Sequence, residues 1–323
     1  MEKTGRIIKS ISGFYDVLDD ESNVLVRTRA RGNFRKRKIK PLVGDKVSFD
    51  STGDLGYILE ILPRENSLVR PPIANVDQAI VVTSAAEPNF SSNLLDKILV
   101  NIEHNEIEPV IYLTKADLLS DEQYAELKTT LMGYHEHADY QVFCDRDSYN
   151  DQQVSKLKAT FADKVTVFTG QSGAGKSTLL NHIDHDLGLA TAEISQTLNR
   201  GKHTTRQVSL FDIEGGLVAD TPGFSSIDLQ NIPAEELPKL FPEFLKYSDM
   251  CQFRGCRHVN EPNCAVKEKL SEGQIMQSRY DNYLYFLNEI NSYKKDIEEL
   301  IFDDSKDCTI NFICRYYESR TRC

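Results

Sequence analysis

The stretch Gly170-Gln171-Ser172-Gly173-Ala174-Gly175-Lys176-Ser177 does most to narrow what this chain can fold into. It follows the apolar, β-branched run Lys164-Val165-Thr166-Val167-Phe168-Thr169 and leads into Thr178-Leu179-Leu180-Asn181, the first turns of a helix. A strand, a glycine loop and a helix in that order make a phosphate-binding P-loop. Glycines let backbone N–H groups turn toward phosphate oxygens, and the helix N-terminus adds partial positive charge. Lys176 is therefore expected on the β- and γ-phosphates and Ser177 on Mg²⁺, with Gly170 to Thr178 as the nucleotide-contacting stretch. A glycine loop without a ligand is the competing reading, and the flanking strand and helix argue against it.

At 323 residues the chain is long enough for two or three domains, and 40% hydrophobic with 27% charged residues suits a soluble globular protein. No apolar run approaches a membrane span, and Met1-Glu2-Lys3-Thr4-Gly5-Arg6 lacks a signal-peptide core, so a cytoplasmic protein with no membrane contact is expected. Seven cysteines in a reducing compartment are read first as metal ligands.

The net charge of −11 argues against indiscriminate binding to nucleic acid, DNA included, but it is unevenly spread. Residues 1–70 carry 14 Lys/Arg against 10 Asp/Glu, so the whole acidic excess lies beyond them. Five short alternating runs fill this region, near residues 6–11, 14–18, 23–27, 46–49 and 56–61, with turn residues between them. A small closed barrel of the oligonucleotide-binding type is the expected fold. From Arg27 to Lys40 the chain reads RTRARGNFRKRKIK, eight basic residues with no acid. Its basic residues are expected on RNA phosphates, with Phe34 stacked on a base; a solvated loop without a partner is the alternative.

Arg70-Pro71-Pro72 marks a boundary, and residues 71–230 then alternate apolar strands (78–83, 108–113) with helical stretches, the pattern of a parallel sheet covered on both faces. The second strand ends in Thr114-Lys115-Ala116-Asp117. A carboxylate there can accept both N–H groups of guanine's Watson–Crick edge while the lysine stem packs over the base. A helix N-terminal turn is the bland reading of the same four residues. Downstream, Gly216-Leu217-Val218-Ala219 runs into Asp220-Thr221-Pro222-Gly223, placing Asp220 on the Mg²⁺ shell and the Gly223 N–H on the γ-phosphate. Between the two lies Gly201-Lys202-His203-Thr204-Thr205-Arg206, a switch-like segment whose Thr204 and Thr205 hydroxyls are expected to complete the site. The base-reading loop thus precedes the P-loop, the reverse of the usual GTPase order.

Taken together, TKAD at 114–117, GQSGAGKSTLLN at 170–181, GKHTT at 201–205 and DTPGFSS at 220–226 resemble the circularly permuted GTPases that assist small-ribosomal-subunit maturation in bacteria, the RsgA (YjeQ) type. The resemblance extends over roughly residues 1–300. It implies an α/β chain with an N-terminal five-stranded oligonucleotide-binding-like barrel, a circularly permuted P-loop GTPase domain and a C-terminal zinc-binding helical module. It also implies hydrolysis of GTP to GDP stimulated by the 30S subunit, with 16S rRNA as the nucleic-acid partner of a monomeric factor. Two departures stand out. Phe224 follows Gly223 directly, where GTPases carry a water-orienting glutamine soon after, so His203 is assigned that role beside Lys176 and Thr205; a histidine that only packs or binds RNA is the alternative. Cys144-Asp145-Arg146-Asp147-Ser148 replaces the family's usual Ser-Ala-like base-contacting loop and receives no assignment.

Residues 231–323 hold Cys251-x4-Cys256-x-His258-x5-Cys264, three thiolates and an imidazole spaced for one closed, structural Zn²⁺ site. Residues 265–300 read as helix, with Tyr280, Tyr283, Leu284 and Leu287 at packing intervals; Cys308, Cys314 and Cys323 have no metal-like spacing. The expected divisions are therefore 1–70, 71–230 and 231–323. An RNA-binding factor in which GTP is structural is the second functional reading. An ATP-dependent kinase or transport ATPase is disfavoured by Asp117 and by the lack of a Leu-Ser-Gly-Gly-Gln motif.

Overall fold

The structure, a computed structural model, describes residues 2–37, 39–51, 55–69, 71–184, 208–220 and 228–303. The chain forms two compact units, Met1–Ile227 and Asp228–Cys323.

The first unit begins with five strands: β1 (Glu2–Ile11), β2 (Phe14–Asp19), β3 (Leu25–Ala30), β4 (Lys46–Asp50) and β5 (Gly56–Ile61). They pair in the order β1-β2-β3-β5-β4, and β4 pairs back onto β1, which closes the barrel. Closure follows from period-two patterning: Ile7, Tyr15, Val17, Val47, Phe49 and Ile58 all point inward and are buried. Shifts of register between Ile7 and Lys9 and between Ser48 and Phe49 bend the strands round. The basic segment is partly helical, with α1 spanning Gly32–Lys36. Phe34 in it is only 8% exposed. That corrects the stacking role expected of Phe34: a lone aromatic in a charged run gains more from the core than from water, so it anchors the segment instead.

Two short strands, β6 (Ser67–Leu68) and β7 (Ile73–Ala74), form the hairpin that leaves the barrel. The buried Asp45 carboxylate ties this junction: Arg64 donates to it through Nε at 2.7 Å and a terminal guanidinium nitrogen at 2.9 Å, and the Leu42 N–H adds a third bond at 2.7 Å. Asn75 reaches across from the hairpin to the Gly44 carbonyl at 3.0 Å.

Beyond the hairpin come β8 (Gln78–Ser84), α2 (Ser92–His104), β9 (Glu108–Thr114), α3 (Asp121–Ala138), β10 (Gln141–Phe143), α4 (Asp151–Lys158), β11 (Val165–Thr169), α5 (Lys176–Ile183), β12 (Ser209–Ile213) and β13 (Gly216–Asp220). The strands lie in the order β10-β9-β8-β11-β13-β12, all parallel except β12. Continuous burial along β8, β9 and β11 is what a sheet covered by helices on both faces requires. Polar caps start the helices: Ser91 for α2, a Ser120–Gln123 capping box for α3 and Asn150 for α4. Chain order runs outward from β8 to β10 and then returns to β11 on the other side of β8. A crevice for ligand therefore opens above the carboxyl ends of β8 and β11. At the far edge, Lys9 of β1 pairs with Ser209 of β12, so barrel and nucleotide sheet share one hydrogen-bonded surface.

The second unit contains a 3-10 turn (Leu237–Leu240), α6 (Pro242–Ser248), α7 (Ala265–Ser271) and α8 (Gln277–Asp303). Its centre is aromatic: Phe241 and Phe244 stack at 5.0 Å, and Tyr283 meets both edge-on. Residues 265–300, expected to be helical, form two helices. Gly273 at φ 74° takes the left-handed position after α7, where the N–H groups of Gly273 and Gln274 close on the Leu270 and Lys269 carbonyls. Tyr280, Tyr283 and Leu287 are buried as the spacing implies, with Leu284 half-buried.

Candidate functional site

The glycine loop sits at the carboxyl end of β11, in the crevice the strand order creates. Gly170 has φ 134°, and a Cβ there would lie 2.0 Å from the Val82 carbonyl oxygen, so only glycine lets the loop cross so close to β8. Gly175, also at positive φ, is the N-cap of α5. The Lys176 ammonium bends back over the loop and donates to the carbonyls of Gly170 (2.7 Å) and Gln171 (2.8 Å). Burial lowers its pKa.

The loop after β9 joins the same site. Thr114, fully buried, donates its hydroxyl hydrogen to the Ala174 carbonyl oxygen at 2.6 Å, with the Thr83 carbonyl of β8 at 3.3 Å. Thr114 thereby links two loops sixty residues apart. Lys115 adopts a left-handed conformation (φ 57°) and its ammonium donates to the Glu87 carbonyl. Asp117 is exposed in the short 3-10 turn that follows. The residues 114–117 expected to read the base and the residues 170–178 expected to hold phosphate are therefore brought together. Asp220 ends β13, next to β11, with its side chain outside the described residues; His203, Thr204, Thr205, Gly223 and Phe224 also lie outside them.

Sequence reasoning left the loop after β10 empty. Here Tyr149 stacks on His182 of α5, with ring centroids 4.4 Å apart and an interplanar angle of 12°. An aromatic just before a helix cap, in the loop that follows the strand beside β9, was the available signal.

In the second unit, Cys251, Cys256, His258 and Cys264 place one ligand atom each within 4.8 Å of all the others. His258 Nδ1 lies 3.3 Å from Cys264 Sγ and 3.7 Å from Cys251 Sγ, and the two sulfurs are 3.9 Å apart. Tetrahedral zinc with Zn–S near 2.3 Å needs sulfurs about 3.8 Å apart, so the four residues fit one ion with no position left for substrate. Burial pushes the Cys256 and Cys264 thiols up, so an ion would have to displace their protons to enter, and pushes the His258 imidazole down, toward the neutral form that ligates metal. Residues once read as packing alone also brace this turn: Tyr280 donates to the His258 carbonyl at 2.7 Å and Tyr283 to that of Arg257. The Glu261 carboxylate accepts the N–H groups of Arg257 and Val259 at 2.9 and 2.8 Å.

A P-loop on one strand, tied to a Thr-Lys-x-Asp loop that comes earlier in the chain, on a sheet of unchanged strand order, defines a circularly permuted P-loop GTPase. The RsgA GTPase family model matches residues 61–230, and the RsgA N-terminal domain model matches residues 4–58. A protein named small ribosomal subunit biogenesis GTPase RsgA, from Latilactobacillus sakei, is 54% identical over 299 residues, which cover 91% of this chain and 99% of that one. Among solved structures, that described as YloQ, a circularly permuted GTPase, shares 43% identity at a TM-score of 0.79, covering 91% of this chain and 96% of that one. YjeQ from Thermotoga maritima shares 33% identity at a TM-score of 0.77, over 90% and 99% of the two chains. This chain belongs to the RsgA family of GTPases.

Proposed function

We propose that this GTPase binds the immature 30S ribosomal subunit through 16S rRNA and couples GTP hydrolysis to late subunit maturation and to its own release. The reading rests on the bond from Thr114 to Ala174, which joins a guanine-type loop to a P-loop in a chain so similar to small-subunit biogenesis GTPases. Asp117 reads the guanine edge, with Thr114 and Lys115 beside it. Gly170 to Thr178 hold the phosphates, and Lys176 offsets charge that grows in the transition state. Ser177, Thr205 and Asp220 ligate Mg²⁺, Thr204 and Gly223 sense the γ-phosphate, and His203 orients the attacking water. Cys251, Cys256, His258 and Cys264 hold one structural zinc.

Three functional modules, 1–70, 71–230 and 231–323, divide RNA contact, hydrolysis and zinc-held docking. RNA contact by the barrel is supported by its outer face, where Arg29 lies 4.1 Å over the Phe14 ring and pairs in register with the exposed Tyr57. The factor acts in the cytoplasm as a monomer, away from DNA and membranes; among the described residues no helix is long and apolar enough to cross a membrane. The test is GTP turnover with and without small subunits, together with cofractionation in a GTP analogue and in GDP. Stimulated turnover and preferential binding of the analogue form are expected. Turnover indifferent to subunits, with equal binding in both states, would leave an RNA-binding factor whose GTP is structural.

A further inference from the structure

The loop between β10 and α4 leaves the sheet beside the base-reading loop, and its backbone is held at both ends. Tyr112 donates to the Ser148 carbonyl, Gln153 adds a bond to the same oxygen at 3.2 Å, and the Tyr149 N–H donates to the Asp147 carboxylate at 3.2 Å. Asn150 then caps α4 by accepting the Gln153 N–H at 2.9 Å. From this fixed base the Tyr149 ring extends along α5. It stacks on His182, which lies seven residues, two turns, beyond Gly175 and so on the same helix face. A methyl group built on Gly175 would come within 3.1 Å of the Tyr149 hydroxyl oxygen and 3.7 Å of the Thr114 side chain. Burial, and then the negative charge of Asp117, raise the phenol's pKa, which keeps its proton in place. One residue away, the buried Ser148 hydroxyl has no hydrogen-bond partner in this arrangement of the loop.

A methyl on Gly175 would thus meet both the phenol oxygen and the Thr114 side chain, and the charge of Asp117 is felt at the same phenol. A guanine read by Asp117, on a nucleotide whose phosphates lie in the P-loop, has to cross that same ground. We infer that Tyr149 closes the guanine subsite and that an entering guanine nucleotide displaces its ring from His182. The inference rests on the assignment of Asp117 as the guanine reader. It makes nucleotide entry a movement of the loop between β10 and α4, and gives Ser148 its chance of a partner once the loop has moved. Only the fraction of molecules with the ring displaced binds nucleotide, so removing the ring raises apparent affinity by the strength of the closed contact. An aromatic stack of ordinary strength corresponds to a factor of about 2 to 13.

Tyr149→Ala is therefore expected to bind the fluorescent analogue mant-GDP about 2- to 13-fold more tightly, through faster association, while Tyr149→Phe, which keeps the ring, stays near the parent. The chain contains no tryptophan, so Tyr149→Trp supplies a single reporter. Its emission should shift to the red when GDP drives the indole out toward water. Unchanged or weaker mant-GDP binding by Tyr149→Ala, or an emission that GDP leaves unmoved, overturns the inference. Asp117→Asn separates the two assignments: it should move preference from mant-GDP to mant-XDP. If it does not, the guanine reading falls and the gate with it; if it does while the Tyr149 variants stay inert, only the gate falls.

Discussion

Arg279 and Glu243 offer the sharpest test of what holds the second unit together. Both side chains are 1% exposed. The guanidinium makes a two-pronged contact, Nε to Oε1 at 2.6 Å and a terminal nitrogen to Oε2 at 2.9 Å, and its plane lies 4.8 Å from the Phe241 ring centroid. Removing one partner breaks a buried ion pair in an aromatic interior, at a cost of about 3–5 kcal/mol. Arg279→Met and Glu243→Leu should each lose that much. Replacing both with apolar groups of similar length removes charge and countercharge together, so the double variant should return to within about 1 kcal/mol of the parent. Urea unfolding of the zinc-loaded full chain, followed by release of zinc to a chromogenic chelator, reads this directly. With a slope of about 1–3 kcal/mol per molar urea, each single variant should release zinc at a midpoint lower by about 1 M or more. Single variants that cost less than about 1 kcal/mol, or a double variant no better than the worse single, would refute the reasoning: the pair would then be an ornament on a unit held by its aromatic contacts alone.

Two further outcomes follow from other buried polar groups. Thr114→Val keeps the shape of a fully buried side chain but leaves the Ala174 carbonyl without its donor, a loss of about 1–2 kcal/mol; mant-GDP should bind roughly 5- to 30-fold more weakly with the circular dichroism spectrum unchanged. In the barrel, the Asp19 carboxylate accepts from the Lys3 ammonium at 2.6 Å and from the Glu21 and Ser22 N–H groups at 2.9 and 3.0 Å, bonds that hold its pKa well below the usual carboxylate range. A folded pKa below the unfolded value of about 3.9 stabilises fully above that value and is lost as pH falls through it toward the folded one. Urea midpoints measured between pH 6 and pH 3 should therefore fall less steeply for Asp19→Asn than for the parent.

The elements legible in the sequence are those whose signal is local. Strand alternation in residues 2–61, the glycine loop after an apolar strand, and the spacing of four residues that could hold one metal ion each depend on neighbours a few positions away, and each is found in the structure. What was illegible depends on distant partners. Phe34 looked like a stacking platform because its neighbours are basic, yet its side chain is buried. The break between α7 and α8 hinged on one residue, Gly273, in a stretch otherwise compatible with a single helix. Tyr280 and Tyr283 announced packing through their spacing, while their hydroxyl bonds to the metal-binding turn needed the fold to appear.

The permuted order has a physical explanation that links fold to mechanism. A parallel sheet is stabilised by which strands lie side by side and by the apolar faces they bury, and neither depends on the order in which the chain visits them. The strand sequence β10-β9-β8-β11-β13-β12 can therefore be reached with the base-reading half first, provided the two halves stay in register. Thr114 does part of that work: from the end of β9 it reaches past the Thr83 carbonyl of β8 to the P-loop carbonyl of Ala174, so base loop and phosphate loop are set against each other by one buried side chain. The permutation changes connectivity instead. Chain order now carries β13, ending at Asp220, directly toward the second unit, which begins at Asp228. In a chain visited in the usual order the base loop would follow at that point. Here only seven residues of chain separate Asp220 from Asp228, the first residue of the second unit.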